Sequence, residues 1–167
     1  METLTDYSIG FVEEPLMADA PYSDWATLSN RLNVPLAAGE NIYGTQNFRN
    51  FAEHGKVQVL QPDVAKWGGV SGAIEVGQLA RENGITCTLH YMGSALGLAI
   101  SIHTLAAMTE HGAVELDANP NPLRTELGEL NLRVTDGHVE VPQCIGHGFL
   151  PNPAALKSMT VGSFDLS

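Results

Sequence analysis

The chain has 167 residues, 44% of them apolar, so one domain of ordinary size with a real core is expected. It carries 19 acidic against 8 basic residues, a formal net charge of -11, and no basic patch, which argues against a nucleic-acid partner. No apolar run reaches the roughly 18 residues that a membrane helix needs, so no membrane partner is expected.

The first strand is predicted over residues 7–12, ending at Glu13-Glu14-Pro15, where Pro15 cannot donate a ladder hydrogen bond. A helix follows over 22–32, with Ser23 as its expected cap and Trp25, Leu28 and Leu32 at helical spacing. A second strand, 34–38, ends at Gly39-Glu40-Asn41. Its helix, 45–54, carries Phe48 and Phe51, and Gly55 is its expected stop. The third strand, 57–60, ends at Gln61-Pro62-Asp63. Its helix, 73–83, carries Ile74, Val76, Leu79 and Ala80, with Gly84 just beyond.

The fourth strand, 85–89, ends at His90, and a buried helix is expected over 95–108. A fifth strand, 112–114, ends at Glu115. Asn119-Pro120-Asn121-Pro122 reads as a loop. Segments 131–134 and 138–141 flank Thr135-Asp136-Gly137, which signals a β-hairpin. A short helix is expected near 153–158. The acidic N-terminus lacks the apolar core of a signal peptide. Cys87 and Cys144 are too few for a disulfide framework, which fits a cytoplasmic setting, and Cys87 reads as a small core residue.

Glu13, Glu40, Asp63, His90 and Glu115 thus close successive strands, 27, 23, 27 and 25 residues apart. Each gap is one βα unit. Parallel strands would bring these five side chains to one end of a sheet. Two carboxylates on adjacent strands are hard oxygen ligands that suit Mg²⁺, and they give part of the acidity a purpose beyond surface solvation. A carboxylate beside a histidine raises its basicity. A further carboxyl facing them could donate a hydrogen bond to a developing oxyanion. A lone strand-end glutamate is more often a helix cap, and a lone histidine a satisfied core residue; the regular series of five carries the signal. His54, His103, His111, His138 and His147 have no such placement and read as structural or surface residues.

The series Glu13-Glu14-Pro15, Gly39-Glu40-Asn41, Gln61-Pro62-Asp63 with Lys66 and Gly68-Gly69, His90 and Glu115 resembles the enolase superfamily. It looks most like the mandelate racemase branch of the mandelate racemase/muconate lactonizing enzyme family, which includes acid-sugar dehydratases. The likeness runs over essentially the whole chain, although Gly146-His147-Gly148-Phe149 stands where the family usually has Pro-Gly-Leu-Gly. The resemblance implies an α/β fold: a partial TIM (β/α)₈ barrel, equivalent to strands four to eight, with a C-terminal β-hairpin and tail. Residues 1–128 would be the C-terminal part of the barrel, and 129–167 the hairpin and tail.

By the same resemblance, Glu13 and Glu40 match the second and third ligands of Mg²⁺. His90 matches the general base or acid, Asp63 the residue that orients it, and Glu115 the carboxyl that hydrogen-bonds the substrate carboxylate. Where the muconate-lactonizing branch has a catalytic lysine, this chain has Asp63; Lys66 lies a turn further on and would not replace that lysine. The implied chemistry is abstraction of the proton α to a carboxylate in a small acid, leading to dehydration or racemisation of a 2-hydroxy acid or acid sugar. Alternatives are a non-catalytic fragment or interaction module, and a cycloisomerase. The family's strand-three aspartate ligand and strand-two base have no counterpart here, and Asp6 does not fit the former role. The chain alone is therefore expected to turn over little, and to associate with itself or with a missing N-terminal half.

Overall fold

The computed structural model describes residues 7–109 and 112–163. Asp6 and His111 lie outside these. The chain begins as four βα units: β1 (Val12–Glu13), α1 (Tyr22–Arg31), β2 (Leu36–Ala38), α2 (Thr45–Glu53), β3 (Val59–Leu60), α3 (Gly69–Glu82), β4 (Thr86–Cys87) and α4 (Ala95–Met108). The strands form one parallel sheet in the order β1-β2-β3-β4. Register is fixed by Val12 opposite Leu36, Ala37 opposite Val59, and Leu60 opposite Cys87. Each strand pairs with its sequence neighbour, as βαβ crossovers demand.

Several expectations are corrected. The expected fifth strand is a single parallel bridge, Leu89 to Val114. The first strand shortens from residues 7–12 to Val12–Glu13, because its outer side has no partner among the described residues and Ile9 donates back to the Tyr7 carbonyl in a local turn. Pro21, not Ser23, is the N-cap of α1; Ser23 sits inside the first turn, with its hydroxyl on Asp24. Helix α3 begins four residues earlier than expected, since Gly68 takes a left-handed φ of 72° and turns the chain into the helix. Its buried stripe is Ala73, Val76, Leu79 and Ala80, with Ile74 on the exposed side.

The core lies between the sheet and α1, α2 and α3. Trp25, Phe48 and Phe51 pack on Leu36, Leu60, Val76 and Leu79, with Phe51 edge-on to both Trp25 and Tyr22. Cys87 packs against this cluster, and burial pushes its thiol up to about 12. Helix α4 is apolar nearly all round because it is covered on more than one side. Leu105 joins Ala73 and Leu89, Leu98 and Ile102 join Tyr91, and Ala95 and Ala99 meet Phe149.

The tail adds α5 (Pro122–Thr125), β5 (Gly128–Leu130), β6 (Val134–Thr135), β7 (His138–Val139), β8 (Phe149–Pro151) and α6 (Pro153–Met159). The expected hairpin is β6–β7, turning through Asp136 and Gly137, both at positive φ. The segment expected as a loop leads directly into α5, where Asn121 caps and Pro122 opens a single turn. The β5–β8 antiparallel pair, with Leu130 opposite Phe149, has no signal in the sequence. It lays Phe149 and Leu130 against α4. No helix among the described residues is long and apolar enough to cross a membrane.

Candidate active site

The strand ends place Glu13, Glu40, Asp63, His90 and Glu115 on the same, C-terminal side of the parallel sheet. Glu13 is the last residue of β1, and Glu40 follows β2 after Gly39. Gly39 is needed there: a Cβ would lie 2.2 Å from the Gln61 carbonyl carbon, so β2 and β3 approach each other too closely for a side chain.

His90 is the hub. Its Nδ1 lies 2.8 Å from Asp63 Oδ2. Its Nε2 lies 2.9 Å from Glu40 Oε2 and 3.8 Å from Glu115 Oε2. Both His90 and Asp63 are buried. Asp63 is itself held, since its Oδ1 accepts from the Ala65 N–H at 2.7 Å. Burial alone would lower the His90 pKa; the hydrogen bond to Asp63 and the charges of Glu115 and Glu40 outweigh it and raise it. For Asp63, burial pushes up, and the bonds from His90 and Ala65 bring the net below the usual range. The pair is therefore an imidazole oriented through Nδ1 and made more basic at Nε2, as a general base or acid requires.

Glu115 is anchored by two groups that sequence reasoning did not single out. Gln61 Nε2 donates to its Oε1 at 3.0 Å, and the Tyr91 N–H to its Oε2 at 3.4 Å. Gln61 is 1% exposed, which places a wholly buried amide behind the carboxylate. The signal available was its position, two residues before Asp63 in Gln61-Pro62-Asp63. Lys66 lies a turn beyond Asp63, and its ammonium pairs with Glu40 Oε2. That hydrogen bond is the leading reason that the Glu40 pKa is lowered.

Glu13 stands differently. Burial and then the like charge of Glu115 raise its pKa, with Glu40 and Glu14 adding to the effect. Negative charge around it is thus incompletely neutralised. Glu13 and Glu40 have the oxygen-donor chemistry of a hard divalent cation. Among the described residues no group of three or more His, Cys, Asp and Glu side chains is arranged to hold a metal ion. The fit is that of a partial donor set: two carboxylates of the right kind, one of them engaged by Lys66 and His90. Glu14 and Asn41 face elsewhere; Asn41 donates to Glu14 at 2.7 Å, and both border a cavity of about 530 Å³ with Tyr22, Tyr43 and Phe51. His54, His138 and His147 are exposed, and His103 is half-buried on α4. None of these four joins the His90 cluster.

Residues 1–155 match the family described as Enolase C-terminal domain-like. The chain belongs to this family. This enolase C-terminal domain-like chain is 30% identical over 147 residues to an arabinonate dehydratase of Saccharolobus solfataricus, a match covering 87% of this chain and 39% of that protein. It is 28% identical to a D-galactarolactone cycloisomerase of Agrobacterium fabrum, covering 92% of this chain and 44% of the relative. A crystal structure of a mandelate racemase/muconate lactonizing enzyme from Bordetella bronchiseptica superposes with a TM-score of 0.79 at 36% identity, over 90% of this chain and 42% of that one. The chain thus spans about two fifths of the length of these relatives. Its fold is the C-terminal part of an enolase-type barrel.

Proposed function

We propose that this chain carries the acid–base part of a site that removes the proton α to a carboxylate in a small acid, with an acid sugar as the substrate and dehydration as the outcome. The observation that supports it most is the Asp63–His90 pair, with the basic Nε2 turned toward Glu40 and Glu115. The dehydratase relative supports the substrate class.

In this reading His90 Nε2 takes the proton and later returns one to a departing hydroxyl. Asp63 holds the ring so that Nε2 stays the reactive nitrogen and stabilises the imidazolium once formed. Glu115, held in place by Gln61 and Tyr91, would be the carboxyl that donates a hydrogen bond to the substrate carboxylate. Glu13 and Glu40 would hold Mg²⁺, which when bound supplies Lewis-acid stabilisation of the enediolate charge. A second reading, cycloisomerisation, draws on the similarity to the Agrobacterium enzyme, which extends over 92% of this chain. Both begin with the same proton abstraction.

The test is solvent exchange at the α-carbon. Acid sugars incubated with the chain and Mg²⁺ in D₂O are expected to gain deuterium at C2 and, more slowly, to give a 2-keto product. His90→Asn is expected to slow exchange at least about 100-fold, the low end for loss of a general base. Exchange unchanged by that substitution would remove His90 from the mechanism. No exchange by either form would favour a fold retained without catalysis.

A further inference from the structure

The Lys66–Glu40 contact has no part in the chemistry above. Asp63 sets it up. The Lys66 and Trp67 amides both donate to the Asp63 carbonyl at 3.1 Å, while the Asp63 side chain holds the Ala65 amide. This tight turn brings Lys66 back over the end of β2, where its ammonium meets Glu40 Oε2. The same oxygen faces His90 Nε2 at 2.9 Å. One carboxylate oxygen is therefore shared by a fixed cation and by the nitrogen that the proposed chemistry needs free.

We infer that Lys66 is a positioning residue that serves as the counter-ion of Glu40 until a divalent cation takes that carboxylate. The inference rests on the assignment of Glu40 as a cation ligand. In the present arrangement Glu40 blocks His90 Nε2 and is neutralised by Lys66. Withdrawal of Glu40 toward Glu13 would free Nε2 and release Lys66 at the same time. Cation binding and exposure of the base are then one event. The two side chains are partly exposed, at 34% for Lys66 and 27% for Glu40, so the lysine can swing into solvent when displaced. Its hold is that of a partly screened pair, modest and sensitive to salt.

The experiment measures Mg²⁺ and Mn²⁺ binding directly, by calorimetry and by Mn²⁺ electron paramagnetic resonance, on the wild-type chain, Lys66→Met, Lys66→Arg and Glu40→Gln. Lys66→Met is expected to bind roughly two- to tenfold more tightly than wild type, the range of a partly exposed ion pair plus one removed repulsion. The gain should shrink at high salt, and Lys66→Arg should behave as wild type. In ¹⁵N spectra the His90 Nε2 resonance is expected to move when cation is added to the wild type. Unchanged or weaker binding by Lys66→Met, while Glu40→Gln still weakens it, overturns the role of Lys66 alone. Binding untouched by Glu40→Gln, or absent from every form, overturns the cation site and this inference together. If Lys66→Met instead raised KM for an acid sugar with no change in cation affinity, Lys66 would be a substrate contact and not a counter-ion.

Discussion

Asp63 and His90 place two ionisable groups inside the protein, so their interaction carries a pH signature as well as a catalytic one. Asp63 is held below the ordinary aspartate value of 3.8, so its contribution to stability is present above that value and is lost as pH falls through the depressed folded-state pKa. His90 is raised above 6.5, so its contribution is fully present below 6.5 and is lost as pH rises through the elevated folded-state pKa. The pair therefore stabilises most between about 4 and 6.5. Asp63→Asn keeps an acceptor for the Ala65 amide but removes the charge. It is expected to cost about 3 kcal/mol at pH 6, the low end for breaking a buried pair, since Glu40 still faces the other nitrogen. In urea titrations the gap between variant and wild type should narrow as pH falls toward 3. A gap constant from pH 6 to pH 3 would mean that Asp63 supports the fold by shape and not by charge.

Among the secondary-structure elements, two glycines make opposite predictions. Gly39 follows β2 and lies against the backbone just past β3, and a Cβ there would lie 2.2–2.4 Å from three main-chain atoms of Gln61. Backbone cannot step aside without breaking the β2–β3 ladder, so Gly39→Ala is expected to cost more than about 3 kcal/mol, as severe overpacking does. Gly77 lies inside α3, and the atom closest to its added Cβ is the terminal methyl of Met108 at 2.5 Å, the far end of a flexible side chain. Alanine also gains about 1 kcal/mol of helix propensity over glycine. Gly77→Ala should therefore fall within about 1 kcal/mol of wild type in urea midpoint. The sequence made both positions look alike. What separates them is which atoms sit opposite, and that depends on contacts between elements. The same limit explains the rest of what stayed hidden. Helices marked by a long apolar run or a clear stop, such as Ala95–Met108 and Thr45–Glu53, were legible almost to their ends. The strand-end residues were legible because βα units repeat at nearly constant length. The β5–β8 pair was not, because its strands lie about twenty residues apart, enclose the β6–β7 hairpin and carry no turn signal of their own. Nor was the Lys66–Glu40 or Gln61–Glu115 contact, since each joins the ends of different strands across 26 and 54 residues.

At the level of the whole molecule, a parallel sheet cut from a barrel leaves edges. β1 is bonded only to β2 among the described strands, and at the other side the sheet thins to the single Leu89–Val114 bridge. Unpaired strand groups beside exposed apolar side chains are a template for association. Tyr7 at 70% and Phe11 at 39% exposure lie at or just before the β1 edge. The relatives are more than twice as long as the stretch matched here, so they have chain available to cover such an edge. We propose that the isolated chain pairs through β1 with another copy. The net charge of -11 opposes this, because two like-charged copies repel over distances that salt shortens. Association by the edge should therefore strengthen as salt rises, the reverse of what ion-pair contacts would show. In light scattering coupled to size exclusion, the mean mass is expected to exceed the monomer and to grow between about 0.05 M and 0.5 M salt, where the screening length falls from roughly 14 Å to 4 Å. Phe11→Lys places a charge beside the edge and removes apolar surface. It is expected to return the chain toward the monomer at both salt concentrations. A monomer throughout, or a mass that falls with salt, would show that the β1 edge is not the surface through which this chain associates.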